Sequence, residues 1–131
     1  MSIVDNTNRL KSASKRIALQ FFDLLEKQFN AKEENRYEIT LKFPGDFAAA
    51  MFVHINHLNK CLKEITGKTT SQLIAERKIQ EAKKLLQHSA LTIESIRDLL
   101  GFREIAHFNV FFRKHTGISP ARFRRIVWNL Q

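Results

Sequence analysis

The residue types most able to do metal or covalent chemistry cluster at His54, His57 and Cys61. Imidazoles and a thiolate are ordinary zinc donors, and His57 and Cys61 stand one helical turn apart. Two facts set the metal reading aside. Cys61 is the sole cysteine, so neither a cysteine-rich site nor an intrachain disulfide can form. Its position also recurs as Phe111 in a second copy of the same pattern, which marks it as a small apolar packing group. The five histidines and 13 acids make no catalytic constellation. No glycine-rich phosphate loop or activated nucleophile is present. The sequence predicts no enzyme activity, no cofactor and no metal.

Positive charge is the stronger signal. Lys and Arg number 22 against 13 Asp and Glu, a formal net charge of +9. That balance suits a polyanion, either nucleic acid or an anionic membrane surface. The excess is uneven. Residues 101–131 hold Arg103, Arg113, Lys114, Arg122, Arg124 and Arg125, with Glu104 as their one acid. No apolar run approaches the roughly 18 residues a membrane span needs, and the N-terminus lacks a signal-peptide core. A reducing cytoplasm is the expected compartment, with no membrane partner.

Which elements would carry these groups follows from periodicity. An apolar fraction of 44% over 131 residues supports a real core, and four Gly and two Pro leave few loops. Helix formers dominate, so the expected class is all-α. Residues 1–15 have no periodic apolar face and read as a loose arm or linker remnant. Residues 16–43 read as a helix followed by a strap. Ile17, Phe21, Leu24, Leu25 and Phe29 mark one helical face. Tyr37, Ile39, Leu41 and Phe43 alternate with polar residues, and a lone strand makes no sheet, so an extended apolar strap is expected. Pro44 then suits the first turn of a new helix.

From there the pattern is helix, turn, helix, and it occurs twice. Thr66-Gly67 recurs as Thr116-Gly117 at an offset of 50, which also pairs His57 with His107, Leu58 with Phe108, Lys63 with Arg113 and Leu73 with Phe123. Ahead of the turn the offset is 49: Phe47 pairs with Ile96, and Val53 with Phe102. The second turn should therefore be one residue longer. Phe52 stands where the second copy has Gly101, the residue that would end its first helix. The expected segments are 44–68 for the first helix-turn-helix, 69–90 for a connecting helix, and 91–131 for the second, together one region over 44–131.

The motifs SIRDLLGFREIAHFNVFFRKHTGISPARFRR and, more faintly, HLNKCLKEITGKTTSQLIAERKIQEAKKLL resemble the DNA-binding domain of AraC/XylS-type bacterial transcription regulators. The resemblance implies two homeodomain-like helix-turn-helix subdomains joined by a long helix, each placing a recognition helix in a major groove of double-stranded DNA. It also implies that the chain is the output domain of a longer, sequence-specific regulator. A connecting helix of roughly 18 residues spans about 27 Å, close to the about 34 Å between successive major grooves on one face.

Residue roles follow from that placement. Asn56, His57, Asn59 and Lys60 of the first recognition helix are the expected base contacts, since Asn pairs with adenine and Lys reaches guanine. Arg103, Glu104, Ile105, Ala106 and Asn109 are their counterparts in the second, where the apolar pair suits thymine methyls. Lys63, Arg113, Arg122 and Arg124 are expected at phosphates. Thr92 and Ser119 join them, because they cap helix ends whose N–H groups attract anions. His107 fits either a phosphate contact or a hydrogen bond within the turn. An isolated domain is expected to be monomeric, and a longer protein dimeric. The competing reading is a protein-interaction module for RNA polymerase or a sensor domain, motivated by apolar Ile105, Ala106 and Val110 and by the amphipathic helix from Ile17 to Phe29.

Overall fold

A computed structural model describes residues 3–30 and 39–131; for residues 3–8 and Leu10 it describes the backbone alone. The described residues form seven helices and no strand: α1 (Ile3–Lys27), α2 (Pro44–Ala50), α3 (Ile55–Thr66), α4 (Thr70–His88), α5 (Ile93–Leu99), α6 (Ile105–Thr116) and α7 (Pro120–Asn129). They fall into two compact units, residues 3–30 with 40–74, and Ile39 with residues 75–131. Helix α4 begins in the first and ends in the second. No helix among the described residues is long and apolar enough to cross a membrane.

In the first unit α1 packs against α3. Its buried face is Ser14, Ala18, Phe21 and Leu25, with Phe29 just beyond the helix. Phe21 meets Phe47 of α2 at 5.0 Å between ring centroids. This corrects the expected loose arm over residues 1–15, which is helical from Ile3. The extension was illegible because its buried contact is small and polar. Ser14 is 5% exposed, and its hydroxyl donates to Glu64 Oε2 of α3 at 2.6 Å. Neither Ser14 nor Ala18 registers as an apolar stripe. Ile17 and Leu24, expected on the buried face, are half-buried at its margin.

The expected strap is described from Ile39 onward; Tyr37 lies outside the described residues. An extended segment needs a partner for its backbone, and Gln28 supplies one. Its Oε1 accepts from the amides of Thr40 (3.1 Å) and Leu41 (2.7 Å), and its Nε2 donates to Leu41 O at 3.0 Å. Helix α2 then starts at Pro44 beneath a carboxylate lid. Asp46 Oδ2 accepts from the amides of Lys42 (3.0 Å) and Phe43 (2.9 Å). The Phe43 bond, then that of Lys42, holds the Asp46 carboxyl below the ordinary carboxylate range.

The core of the second unit is aliphatic at α4 (Ile79, Ala82, Leu85, Leu86) and aromatic at α6 (Phe108, Phe112). Phe102 contacts Phe108 at 5.4 Å and Phe111 at 5.0 Å, while Phe112 meets Phe123 of α7 at 5.5 Å. Glu81 is wholly buried within this unit. Its carboxylate is balanced by Lys84 at 2.9 Å and Arg77 at 3.7 Å rather than by aligned hydrogen bonds.

Candidate nucleic-acid interface

Both repeats fold as helix-turn-helix pairs, α2–α3 and α5–α6. The first turn runs from Met51 to His54 and the second from Leu100 to Glu104, so the second holds the extra residue that the offset requires. Each turn needs one left-handed residue. Gly101 takes it at φ 84°, and Phe52 takes it at φ 57°. That conformation brings Cβ against backbone oxygen in any residue but glycine. Phe52 also projects outward, 95% exposed, so packing does not repay the strain.

The reading helices end alike and begin differently. At the C-terminal ends Gly67 and Gly117 donate to the carbonyls of Lys63 and Arg113. Thr66 Oγ1 bonds Leu62 O at 2.7 Å, and Thr116 Oγ1 bonds Phe112 O at 2.8 Å. The repeated Thr-Gly pair is thus one structural device used twice. At the other end, His54 caps α3: its Nδ1 accepts from Asn56 N at 3.1 Å, which requires that nitrogen to be unprotonated. Glu104, its counterpart, makes no side-chain cap. The second turn is held by Arg97 instead, whose Nη1 donates to the carbonyls of Phe102 (2.9 Å) and Arg103 (2.8 Å). A shallow cleft of about 410 Å³ opens there, lined by Glu94, Arg97, Arg103, Glu104, Ile105 and Ala106.

On α3, Asn56, His57, Lys60 and Lys63 are exposed and share the solvent face, while Leu58, Cys61 and Leu62 are buried. Cys61 Sγ lies 3.7 Å from His57 Nε2, a contact of a buried thiol with an exposed ring. Asn59 departs from expectation. It is half-buried, and its Oδ1 accepts the hydroxyl of the fully buried Thr70 at the start of α4. That bond takes one of the two lone pairs of the amide oxygen and ties Asn59, expected at a base, to the start of α4 as a brace.

On α6 and its approach, Arg103, Glu104, Ile105, Ala106, His107 and Arg113 are exposed, and Asn109 is half-buried. His107 sits in the first turn of α6. Val110 is 67% exposed. Among the helix ends, Thr92 Oγ1 accepts from Ser95 N at 3.1 Å and Ser119 Oγ from Arg122 N at 3.2 Å; the Arg122 side chain is exposed.

Arg124, expected at a phosphate, is half-buried and turned toward the α4–α5 link. Its guanidinium donates to four carbonyls: Leu86 at 2.9 Å, Leu91 at 2.5 Å, Leu85 at 3.3 Å and Ser89 at 3.3 Å. Leu86 O lies in the last turn of α4, where carbonyls lack intrahelical partners, Ser89 O and Leu91 O belong to the α4–α5 link, and Leu85 O also accepts from Ser89 N at 3.1 Å. Trp128 Nε1 adds a bond to Gln87 O at 3.1 Å, and its ring lies under the Arg124 guanidinium at 4.7 Å. Desolvation lowers the basicity of Arg124. It is a clamp on the α4–α5 link, with four of its five N–H donors engaged there. His54, Arg97 and Gln28 are positioning residues that spacing alone does not reveal. Phe52 carries a signal, its alignment with Gly101.

The profile of a family described as Helix-turn-helix domain matches residues 47–126. The chain belongs to the AraC-type helix-turn-helix family. Among curated relatives it is 26% identical over 119 residues to the HTH-type transcriptional regulator YisR of Bacillus subtilis (strain 168), covering 91% of this chain and 38% of YisR. The AraC-type chain thus spans well under half the length of that relative. Among solved structures it is similar to an AraC-type DNA-binding domain-containing transcriptional regulator from Chromobacterium violaceum (TM-score 0.68, 23% identity, 87% of this chain and 94% of that one). It is also similar to the DNA-binding domain of AdpA solved with a target DNA (TM-score 0.66, 20% identity, 84% and 90%). At these identities the structural likenesses establish the fold.

Proposed function

We propose that this AraC-type chain is the sequence-specific, double-stranded DNA-binding part of a longer transcription regulator, with α3 and α6 each entering a major groove. One observation carries the reading. The capped helix α3 displays Asn56, His57, Lys60 and Lys63 on one exposed face, and its family and fold are those of helix-turn-helix regulators. Asn56 and Lys60 read base edges, His57 adds a contact in the first turn, and Lys63 meets phosphate. On the second side Arg103 and Glu104 flank the groove, Ile105 and Ala106 meet thymine methyls, and Asn109 adds a marginal contact. Arg113, Arg122 and His107 serve the backbone, and Thr92 and Ser119 present capped helix ends to it.

The test is a duplex titration at several salt concentrations. Affinity should fall steeply with salt, and a selected site should exceed random DNA by at least about 10³. Equal, weak binding to every duplex sinks the reading. Exposed Val110 and Ile105 support a second use of α6 as a contact for a protein such as RNA polymerase; Val110→Ser would then abolish transcription activation while leaving duplex affinity intact.

A further inference from the structure

Four cations occupy the N-terminal half of α1, outside the family match. Arg9, Lys11, Lys15 and Arg16 are all exposed, and residues 9–22 contain no acid. None of the four makes an ion pair among the described residues. Lys11 and Lys15 stand at i and i+4, where like charges repel and destabilise a helix. The pair therefore weakens the helix slightly, and an anion lying against it would remove that cost. Its place in the first unit indicates what. Ser14, between the two lysines, bonds Glu64 in the last turns of α3, and Glu64 follows Lys63, the residue assigned to phosphate. At 3.6 residues per turn Lys11 and Lys15 lie about 60° and 100° round α1 from Ser14, at the edge of the α1–α3 contact, whereas Arg9 and Arg16 face away from it.

We infer that Lys11 and Lys15 of α1 bind the DNA phosphate backbone beside the groove occupied by α3, with Arg9 and Arg16 adding to the local field. This rests on the DNA reading proposed above. It makes the first unit a two-helix grip: α3 for bases and α1 for the strand next to it.

The experiment measures binding of one selected duplex across a salt series by the full chain, by Lys11→Gln/Lys15→Gln, and by Lys11→Arg/Lys15→Arg. Each lost phosphate contact lowers the slope of log K against log salt by about 0.9, so the Gln variant should lose about 1.8 while the Arg variant keeps the full slope. Wild-type binding with an unchanged slope in the Gln variant overturns the α1 inference and leaves the DNA reading standing. Equal loss in both variants assigns the effect to packing and also overturns it. Failure of the wild-type chain to bind any duplex defeats the DNA reading and this inference with it.

Discussion

The two helix-turn-helix pairs share a backbone plan and differ in how they are secured and what they display. The first is braced from outside the repeat. Helix α1 packs along α3, Asn59 binds Thr70, and the turn is forced through Phe52 at φ 57°. The second is braced from within. Gly101 makes the turn without strain and Arg97 ties its carbonyls, while outside the pair Arg124 and Trp128 of α7 lock the end of α4. Display runs opposite to bracing: α3 carries amide and ammonium groups, α6 carries Ile105, Ala106 and Val110. The comparison teaches that repeated motifs constrain the frame, while the exposed face of each copy is free to take a different task.

The largest expected effect lies in the second unit. Arg124→Ala leaves the carbonyls of Leu86, Ser89 and Leu91 dependent on water, while Leu85 O keeps Ser89 N and Oγ; hydrogen bonds to charged groups contribute about 1.5–3 kcal/mol. A loss of about 3 kcal/mol in chemical denaturation is expected. An unchanged midpoint with a reduced salt slope would return Arg124 to the phosphates.

Next comes the paired asparagine. Asn59→Ala orphans the buried Thr70 hydroxyl and should cost about 1–2 kcal/mol. Asn109→Ala, at the equivalent site with no such partner, should cost under about 0.5 kcal/mol. Equal costs would erase the distinction between an external and an internal brace.

Much of this was legible beforehand. The 50-residue offset and its switch to 49 carried the helix order, the longer second turn and the Thr-Gly ends, because apolar spacing and turn residues are local properties. Phe108 and Phe112 are buried as their spacing requires. What stayed hidden depends on partners distant in sequence. Ser14 bonds a residue 50 positions away, and Arg124 bonds carbonyls 33 to 39 positions away. A serine in a polar stretch and an arginine in a basic tail look like surface residues until the helices that meet them are in place. The internal bonds of Asn59 and Arg124 stay hidden for that reason, whereas Lys60 and Lys63 keep their exposed positions.

The turns offer a smaller and oppositely signed test. Phe52→Gly relieves a left-handed strain of about 1–2 kcal/mol, partly offset by the flexibility glycine gives the unfolded chain. A net gain of about 0.5–1 kcal/mol is expected in thermal melts. Gly101→Ala should lose about 1 kcal/mol. If Phe52→Gly instead destabilises the chain, the exposed ring has a packing role that its exposure does not suggest.

The smallest effect is at the start of α2. The depressed Asp46 carboxyl contributes stability above its unfolded-state range, and that contribution is lost as pH falls through its folded value. Acid titration followed by circular dichroism should show the wild-type chain losing slightly more stability than Asp46→Asn. Identical acid profiles would remove the lid from the account.

The central claim is that α3 reads bases more finely than α6. Selection of bound sequences from random duplexes tests it directly, using the wild-type chain beside Asn56→Ala/Lys60→Ala and Arg113→Ala. The account predicts one sharply defined half-site and one weaker, thymine-tolerant half-site. The α3 variant should blur the sharp half alone, and Arg113→Ala should weaken every sequence alike. Two equally sharp half-sites, or a sharp half that survives loss of Asn56 and Lys60, would contradict it.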